Sequence, residues 1–261
     1  MTTLRIETLG EGLDVILIHG WGMPGLIWHN TARALAKHYR VTTIDLPGYG
    51  ESEPLDIHTL PSLSEHLLAS LPHPAIWVGW SLGGMIAMYL ASQYPQHTLG
   101  LVTIASSPKF VKDYTWSHGV ERVVFTRFER SLKQDYYGTL HRFITLQELG
   151  SEHPSTVVRQ LRKIIQMAHR PTLETLQAGL GILLDTDLRK EVADIRCPFL
   201  QIIGDKDVIV PASAAHYLAW LYPSTQLQII HGRGHAPFLP TSTQVVNSIC
   251  AFIDDRIKKQ N

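Results

Sequence analysis

A single serine between two glycines is the first feature of this sequence that suggests chemistry. Residues 79 to 83 read GWSLG, so Gly79 and Gly83 flank Ser81 in the spacing G-x-S-x-G. In this pattern the serine lies on a tight turn from a strand into a helix, where side chains at the glycine positions would collide. A serine hydroxyl is a poor nucleophile until a base removes its proton. The motif therefore predicts a nucleophile at Ser81 and requires a base and an acid elsewhere in the chain.

Two later loops offer an acid and a base. The segment GDKDVIVP contains Asp205 and Asp207, and the segment HGRGHAPF contains His231 and His235. Serine, aspartate and histidine thus occur in the order expected of serine hydrolases built on an open α/β sheet. Asp207 lies deeper in its loop than Asp205, and His235 follows two glycines that allow its loop to reach over the sheet. We predict that Asp207 and His235 serve Ser81, with Asp205 or His231 as the alternative assignment.

The same two histidines are four residues apart, which is also a spacing of zinc ligands. The intervening GRG disfavours a helix, and no acidic third ligand adjoins His231 or His235. Cys197 and Cys250, the two cysteines of the chain, read as ordinary small hydrophobic residues. The sequence therefore predicts neither a metal nor a cofactor.

Acyl transfer through Ser81 also needs hydrogen-bond donors for the developing oxyanion. One donor is expected from the amide of Leu82, which follows the nucleophile at the start of a helix. The segment HGWG at 19–22 follows the apolar run VILI, and its glycines allow a sharp bend that would aim the Trp21 amide at the same point. We expect His19 to hold this loop by hydrogen bonds rather than to act as a second base.

These loops need a sheet to position them, and short apolar runs alternate with helical patterns along the chain. Most of the runs lack strict alternation, as expected for strands buried on both faces. The predicted strands are Leu4 to Thr8, Val15 to Ile18, Val41 to Ile44, Ala75 to Val78, Leu101 to Ala105, Phe199 to Ile203 and Leu227 to Ile230. The predicted helices are Leu26 to His38, Leu60 to Ser70, Leu82 to Gln93, Ser213 to Leu221 and Thr243 to Ile257. This order predicts an α/β fold with a mainly parallel sheet covered by helices on both sides.

The alternation stops between residues 109 and 185. This stretch contains four helix-like segments, roughly Ser117 to Leu132, Tyr136 to Leu149, Ser155 to Met167 and Thr172 to Leu184. We predict an α/β core formed by residues 1–108 and 186–261, with a helical lid inserted at 109–185. The insertion has 11 Lys and Arg against 8 Asp and Glu, whereas the whole chain has a formal net charge of zero. Its positive balance fits either a solvated helical face or a patch for an anionic partner.

Composition restricts the remaining functional classes. The 261 residues are 44% hydrophobic, enough to bury a substantial core, and the neutral overall charge gives no sign of nucleic acid or a membrane surface as a partner. There is no signal-peptide pattern at the beginning and no 18-residue apolar run. We expect a soluble cytoplasmic protein, and a monomer.

With these residues identified, the sequence resembles the α/β-hydrolase superfamily over its whole length. Within it, the chain is most similar to the family of pimeloyl-[acyl-carrier protein] methyl ester esterases of biotin synthesis. The segments that carry the resemblance are HGWG at 19–22, DLPGYGES at 45–52, IWVGWSLGG at 76–84, LVTIASSPKF at 101–110, RFITLQ at 142–147 and GHAPF at 234–238.

The resemblance implies roles for further residues. It implies that Ser81, Asp207 and His235 form a catalytic triad and that Trp21 and Leu82 line the oxyanion site. It implies that Phe143, Ile144, Thr145, Leu146 and Gln147, on the lid, contact the substrate chain. It also implies that lid arginines bind the acidic acyl-carrier protein, with Arg142 and Arg159 in two of the expected places, whereas Gly138 and Ser155 stand where other members have arginine.

The activity expected from this resemblance is hydrolysis of the methyl ester of a carrier-bound pimeloyl chain. An apolar channel under a basic lid would suit such a substrate, with Trp80, Phe128, Phe143 and Leu146 as candidate lining residues. Fold and triad alone do not fix the substrate, so a short-chain esterase, a thioesterase or a carbon-carbon bond hydrolase remains an alternative. An alternative of another class is a hydrolase fold without catalysis that binds a ligand.

Overall fold

The computed structural model describes residues 3–259 as seven strands in one sheet with helices on both faces. Six strands run parallel, and the first pairs antiparallel with the third at the edge. In chain order, the strands are β1 Ile6–Leu9, β2 Asp14–Ile18, β3 Arg40–Ile44, β4 Ala75–Trp80, β5 Thr98–Ile104, β6 Phe199–Gly204 and β7 Thr225–Ile230. Their order across the sheet is β1-β3-β2-β4-β5-β6-β7. The predicted α/β fold with a mainly parallel sheet is confirmed.

The strand order explains where loops can form a site. From β2 the chain returns to β3 on one side and then crosses to β4 on the other side of β2, so the strand order reverses between β2 and β4. In open α/β sheets ligands bind at such a reversal, outside the carboxyl ends of the strands. The HGWG loop follows β2 and Ser81 follows β4, which places the predicted oxyanion loop beside the predicted nucleophile.

The helices begin and end largely at local signals. The side chains of Thr59, Asp135 and Thr172 accept hydrogen bonds from backbone N–H groups in the first turns of α2, α5 and α7, and Pro154 is the first residue of α6. The α-helices within residues 3–259 are α1 His29–Leu35, α2 Leu60–Ser70, α3 Leu82–Gln93, α4 Arg122–Gln134, α5 Tyr136–Gln147, α6 Pro154–Met167, α7 Leu173–Asp185, α8 Ala212–Leu221 and α9 Thr243–Arg256. Short 3₁₀ turns lie at Gly25–Trp28, Pro95–His97 and Glu191–Asp194.

The core lies on both faces of the central strands. Every residue of β4 is buried, and its neighbours β2 and β5 are buried over most of their length. Burial on both faces explains why their sequences are nearly continuous apolar runs.

Helices α4 to α7 lie between β5 and β6, in the stretch predicted as a helical insertion. We call residues 109–185 the cap. The two points where the chain enters and leaves the cap are tied together, because the ammonium of Lys109 donates to both Asp113 and Asp187. The amide of Leu188 also donates to the carbonyl of Pro108 at 2.9 Å. Of the core segments predicted at 1–108 and 186–261, residues 1, 2, 260 and 261 lie outside the described part.

Two predicted helices differ from the structure by three or more residues at an end, and the others by one or two at most. The predicted helix from Ser117 begins only at Arg122, since the backbone around Val120 instead pairs with Phe110 and Lys112. The predicted helix at 26–38 is a 3₁₀ turn followed by a helix that ends at Leu35. Here the Gly25 amide donates to the carboxylate of Asp45, which fixes the first turn against the end of β3.

Candidate active site

Ser81 occupies a strained turn between β4 and α3. Its φ is +55°, a region that side chains other than glycine rarely adopt, and its amide donates to the carbonyl of Ile104 in β5 at 2.9 Å. A Cβ at Gly79 would lie 2.1 Å from the carbonyl oxygen of Gly83, and one at Gly83 would lie 2.3 Å from that of Ile18. Both glycines are therefore required for the turn that exposes the serine hydroxyl to the loops above the sheet.

The imidazole of His235 joins Ser81 to Asp207. Its Nε2 lies 2.9 Å from the Ser81 Oγ, and its Nδ1 lies 2.8 Å from a carboxylate oxygen of Asp207. All three residues are buried, with exposed fractions of 6%, 0% and 5% for Ser81, His235 and Asp207. Because a carboxylate can only accept, Nδ1 carries the proton and Nε2 is free to accept from the serine hydroxyl. This arrangement fits a Ser-His-Asp triad, in which the histidine would accept the serine proton.

The carboxylate of Asp207 is itself fixed by its own loop. Its other oxygen accepts the amides of Ile209 and Val210 at 2.8 and 3.0 Å. The alternative pair behaves differently. Asp205 contacts His231 at 3.3 Å, and the His231 side chain is 84% exposed. The structure thus brings Asp207 and His235 to Ser81 and pairs Asp205 with His231 at the surface.

The HGWG loop lies beside the serine, as its position after β2 requires. Within residues 3–259, neither the Trp21 amide nor the Leu82 amide donates to a protein acceptor. The Leu82 amide is at the first position of α3, where helix N–H groups have no partner within the helix. Both amides thus remain available as donors, as an oxyanion site requires.

His19 and the Trp21 indole hold this loop in place. The Nδ1 of His19 donates to the Gly20 carbonyl, and its Nε2 accepts the Leu46 amide, each at 2.9 Å. Complete burial lowers the pKa of His19, which keeps the ring neutral and able to accept. The indole N–H of Trp21 donates to the carbonyl of Leu176 in α7 at 2.8 Å. The loop is therefore anchored both to the core and to the cap.

The five α5 residues singled out from the resemblance lie in two different environments. The ring of Phe143 packs edge-on against Trp21, with centroids 5.3 Å apart. Ile144 and Gln147 are buried, whereas Thr145 and Leu146 are exposed on the outer side of the helix. Only part of this run therefore faces the predicted reaction centre.

Two residues near His235 were not recognised in the sequence as positioning groups. The indole of Trp80 donates to the carbonyl of His235 at 2.7 Å and packs against Phe238, so this side chain supports the histidine loop rather than lining an open channel. The carboxylate of Glu148 accepts the amide of Ala236 at 3.1 Å. These contacts join residues 155 and 88 positions apart, and no local pattern in a single sequence indicates them.

One recess borders the HGWG loop and another borders Leu82. One, of about 450 Å³, lies between Gly22, Met23 and the cap residues Tyr136, Leu140 and Arg170. A second, apolar recess borders Leu82 between the loop after β3 and α7. Cavities of the first size accommodate small organic ligands.

The two predicted carrier-binding arginines lie on neighbouring cap helices. The guanidinium of Arg142 donates to the Thr139 hydroxyl at 2.9 Å and lies 3.4 Å from Asp135. Arg159 lines a groove between α5 and α6 together with Arg162 and Lys163. The groove is therefore rich in positive charge.

Residues 3–259 contain neither a candidate metal site nor a candidate membrane-spanning helix. No group of three or more His, Cys, Asp or Glu side chains suited to a metal occurs within residues 3–259, and Cys197 and Cys250 are free thiols. None of the helices in the same residues has the length and apolar character needed to cross a membrane.

Comparison with known proteins agrees with this geometry. Residues 15–240 match the model of the alpha/beta hydrolase fold family. A pimeloyl-[acyl-carrier protein] methyl ester esterase from Xylella fastidiosa is 42% identical over 96% of this chain and 98% of that protein. One from Aeromonas salmonicida is 38% identical over 96% of this chain and 99% of that protein.

Solved structures agree on the fold. An esterase from Exiguobacterium antarcticum matches with a TM-score of 0.87 at 22% identity, covering 97% of this chain and 96% of that one. A bromoperoxidase from Bacillus anthracis matches with a TM-score of 0.88, at the same identity and coverage. At this identity the likeness concerns the fold alone.

The family model and the relatives at about 40% identity together identify the family of this chain. It is a carboxylic ester hydrolase of the α/β-hydrolase family and, within that family, belongs to the pimeloyl-[acyl-carrier protein] methyl ester esterases.

Proposed function

We propose that this enzyme hydrolyses the methyl ester of pimeloyl-[acyl-carrier protein] to methanol and the free carboxylate on the carrier. The observation that carries the proposal is identity of about 40% over almost the whole chain to relatives named for this activity. The hydrogen-bonded Ser81, His235 and Asp207 supply the groups that ester hydrolysis needs.

In the first half of the proposed reaction, the Ser81 hydroxyl attacks the ester carbonyl carbon while Nε2 of His235 takes its proton. Asp207 holds the ring in the required tautomer and stabilises the imidazolium that forms. The amides of Trp21 and Leu82 donate to the oxyanion. The imidazolium then protonates the methoxide oxygen, and methanol leaves an acyl-serine.

In the second half, a water molecule takes the place of methanol. His235 removes its proton as it attacks the acyl-serine, and the same two amides stabilise the second oxyanion. Collapse returns the proton to Ser81 and releases the carboxylate. These steps require no metal or organic cofactor.

The cap, residues 109–185, acts in this proposal as a lid that encloses the acyl chain. Phe143 packs against Trp21, and the carbonyl of Gln147 accepts the amide of His235, so both residues lie beside the reaction centre. Ile144, between them in the sequence, is buried. Thr145 and Leu146 face outward, so we assign them to the outer part of the substrate rather than to the acyl chain near the ester. The recess beside Gly22, which Ser81 and His235 do not line, would take a part of the chain that lies away from the ester.

The carrier would dock on the basic outer side of the lid. Arg142 and Arg159 supply positive charge there, and Arg162 and Lys163 lie in the same groove as Arg159. Since acyl-carrier proteins are acidic, charge complementarity would orient the carrier and speed its encounter. We propose that the enzyme acts as a monomer in the cytoplasm, where it would serve biotin synthesis.

A comparison of substrates tests the proposal. The purified enzyme is given pimeloyl-carrier methyl ester, the same ester on free pantetheine, and a short p-nitrophenyl ester, and methanol or nitrophenol release is followed. We expect kcat/KM for the carrier-bound ester to exceed that for the short ester by about tenfold or more, because remote binding energy is used in the transition state. Absence of demethylation together with retained p-nitrophenyl ester hydrolysis would overturn the proposed substrate.

A further inference from the structure

The last residue of α5 and the chain that follows it lie against the loop that carries His235. We call residues 147–152 the bracket. Three hydrogen bonds join it to the histidine loop: His235 N to Gln147 O at 2.8 Å, Ala236 N to Glu148 Oε1 at 3.1 Å, and Glu152 N to Gly232 O at 2.8 Å. The bracket thus holds the backbone at Gly232, at His235 and at Ala236, which lie before, at and after the predicted general base. It also connects that base to the cap.

Glu148 is the unusual member of the bracket because it brings a carboxylate into a buried position. The residue is 1% exposed. A Cβ at Gly234 would lie 2.9 Å from a Glu148 carboxylate oxygen and 2.5 Å from the Gln147 carbonyl, so the glycine allows this close approach. Burial raises the pKa of Glu148, while the Ala236 amide favours the ionised form.

A neutral side chain could accept the same hydrogen bond. The amide oxygen of glutamine has the reach of a glutamate oxygen and avoids the desolvation of a charge. The choice of a carboxylic acid at this buried position is therefore not explained by packing or by the hydrogen bond alone. The Glu148 carboxylate contacts the chain on both sides of His235, because one oxygen accepts the Ala236 amide at 3.1 Å and the other lies 2.9 Å from where a Cβ of Gly234 would be.

Other charged groups surround this pair. Asp207 faces His235 from the loop after β6, and its charge also reaches Glu148. The cations Arg159, Arg162 and Lys163 line the groove that Glu148 borders, on the side of α6. On the histidine loop itself, His231 is exposed and paired to Asp205, and the half-buried Arg233 donates to the carbonyl of Leu239.

We propose that Glu148 is a positioning residue that holds the His235 loop and, through its negative charge, stabilises the imidazolium formed when His235 accepts the serine proton. The proposal rests on the proposed role of His235 as the base. Glu148 does not touch the reacting atoms in this account. It is a second carboxylate near His235, and it comes from the cap, whereas Asp207 comes from the loop after β6.

Two variants separate the charge from the hydrogen bond. Glu148→Gln keeps an acceptor for the Ala236 amide and removes the charge, whereas Glu148→Ala removes both. Glu129→Gln is the matched control, since Glu129 is also a hydrogen-bonded carboxylate of the cap but contacts Gln177 and Lys133 instead of the histidine loop. The readout is kcat and KM for a short p-nitrophenyl ester over a range of about two pH units to either side of neutrality, where histidine changes its charge.

For Glu148→Gln we expect the acidic limb of the kcat/KM profile to move to lower pH by roughly 0.5 to 1 unit, because the imidazolium loses a nearby negative charge. We also expect kcat on the plateau to fall about 3- to 10-fold with KM nearly unchanged. Glu148→Ala is expected to lower kcat further, and Glu129→Gln to leave the profile in place.

A Glu148→Gln profile that superimposes on that of the wild type would overturn the proposal, even if Glu148→Ala lost activity through misfolding. The short ester keeps this test independent of the proposed carrier-bound substrate. If demethylation of the carrier ester were absent, the comparison of pH profiles would still decide the role of Glu148.

Discussion

Two aspartate–histidine pairs lie next to each other at the ends of β6 and β7, and they differ in burial and in partners. The pair Asp207 and His235 is buried and contacts Ser81, and the Asp207 carboxylate accepts two further backbone amides. The pair Asp205 and His231 lies at the surface and contacts no serine in the described part of the chain. A buried carboxylate held by several hydrogen bonds keeps its position and so can orient the imidazole.

We therefore predict that Asp207→Asn lowers kcat by about 10⁴, because the asparagine would favour the wrong imidazole tautomer at His235. The measurement is kcat for a p-nitrophenyl ester, with circular dichroism to verify folding.

Asp205→Asn is the matched control at the neighbouring pair, and it is expected to retain activity within a few-fold. A larger loss of kcat for Asp205→Asn than for Asp207→Asn would reverse the assignment of the acid.

Sequence patterns predicted the three residues that the structure brings together, Ser81, Asp207 and His235, but did not reveal other contacts around them. Ser81 was placed by two glycines, and the acid and base by the loops that follow predicted strands. Glu148 and Trp80 were missed as supports of the histidine loop, since their partners lie 88 and 155 residues away in the chain. Only the folded arrangement brings such partners together.

At the scale of the elements, the turn from β4 into α3 requires glycines, because a side chain at these positions would collide with neighbouring backbone. Gly83 faces the end of β2, where a Cβ would lie 2.3 Å from the carbonyl oxygen of Ile18. Gly181 in α7 is also a helical glycine, but a Cβ added there would meet no atom within 4 Å in the described part of the chain. The two positions therefore separate steric demand from helix propensity.

We predict that Gly83→Ala lowers the free energy of unfolding by about 1 to 3 kcal/mol, because α3 must move away from β2. Gly181→Ala is expected to raise the same free energy by about 0.5 to 1 kcal/mol through better helix propensity. Urea unfolding followed by circular dichroism measures both. Equal effects of the two substitutions would contradict the close approach at the turn.

The ends of the cap are held by a cluster of charges around Lys109. Burial opposes ionisation of Asp187, but hydrogen bonds from Arg189 and Lys109 outweigh it and lower the pKa of Asp187 to about 2. A carboxyl group whose pKa is lower in the folded state stabilises the fold above its unfolded pKa, about 4, and loses that effect as the pH falls through its folded pKa of about 2.

Asp187→Asn is therefore expected to lower the Tm at neutral pH. A loss of about 1 kcal/mol, already reduced for solvent screening, corresponds to about 2 to 4 °C for a chain of this size. The difference from the wild type should shrink at a pH of about 3, between the two pKa values. Asp185→Asn, at the exposed pair with Arg122, serves as the control with a smaller effect. A difference in Tm that grew on acidification would contradict the depressed pKa of Asp187.

Element boundaries were predictable where the signals are local. Helices α2 and α3 begin and end at the predicted residues, since a capping threonine and the serine turn mark their starts. The predicted start of α4 was wrong because Val120 pairs with Phe110 and Lys112, a tertiary contact that overrides helical periodicity.

At the scale of the whole molecule, the charge of the cap contrasts with the neutral chain. Arg142 and Arg159 are expected to contribute to binding of an acidic carrier and not to the chemistry at Ser81. We predict that Arg142→Glu with Arg159→Glu lowers kcat/KM for the carrier-bound ester by about tenfold or more at low salt and leaves the p-nitrophenyl ester unaffected.

Arg33→Glu with Lys37→Glu makes the same change of net charge on the core, away from the cap, and should have little effect on either substrate. Equal slowing of both substrates by the cap variant would argue against carrier docking on this face.

The overall architecture was largely predictable because the order of strands and helices restricts an α/β chain to few topologies. The antiparallel pairing of β1 at the sheet edge was not, since a short half-exposed strand has no pattern that gives its direction. The position of the cap over the site was likewise not encoded locally. It depends on contacts such as that of Trp21 with Leu176, 155 residues apart.

The central claim is that Ser81 attacks the ester with His235 as its base, and the most direct measurement is the hydrolysis rate of pimeloyl-carrier methyl ester by Ser81→Ala. The account predicts a loss of kcat of about 10⁴ or more in a folded protein, since no other hydroxyl in the described chain contacts His235 Nε2. Retention of most of the wild-type rate by folded Ser81→Ala would contradict it.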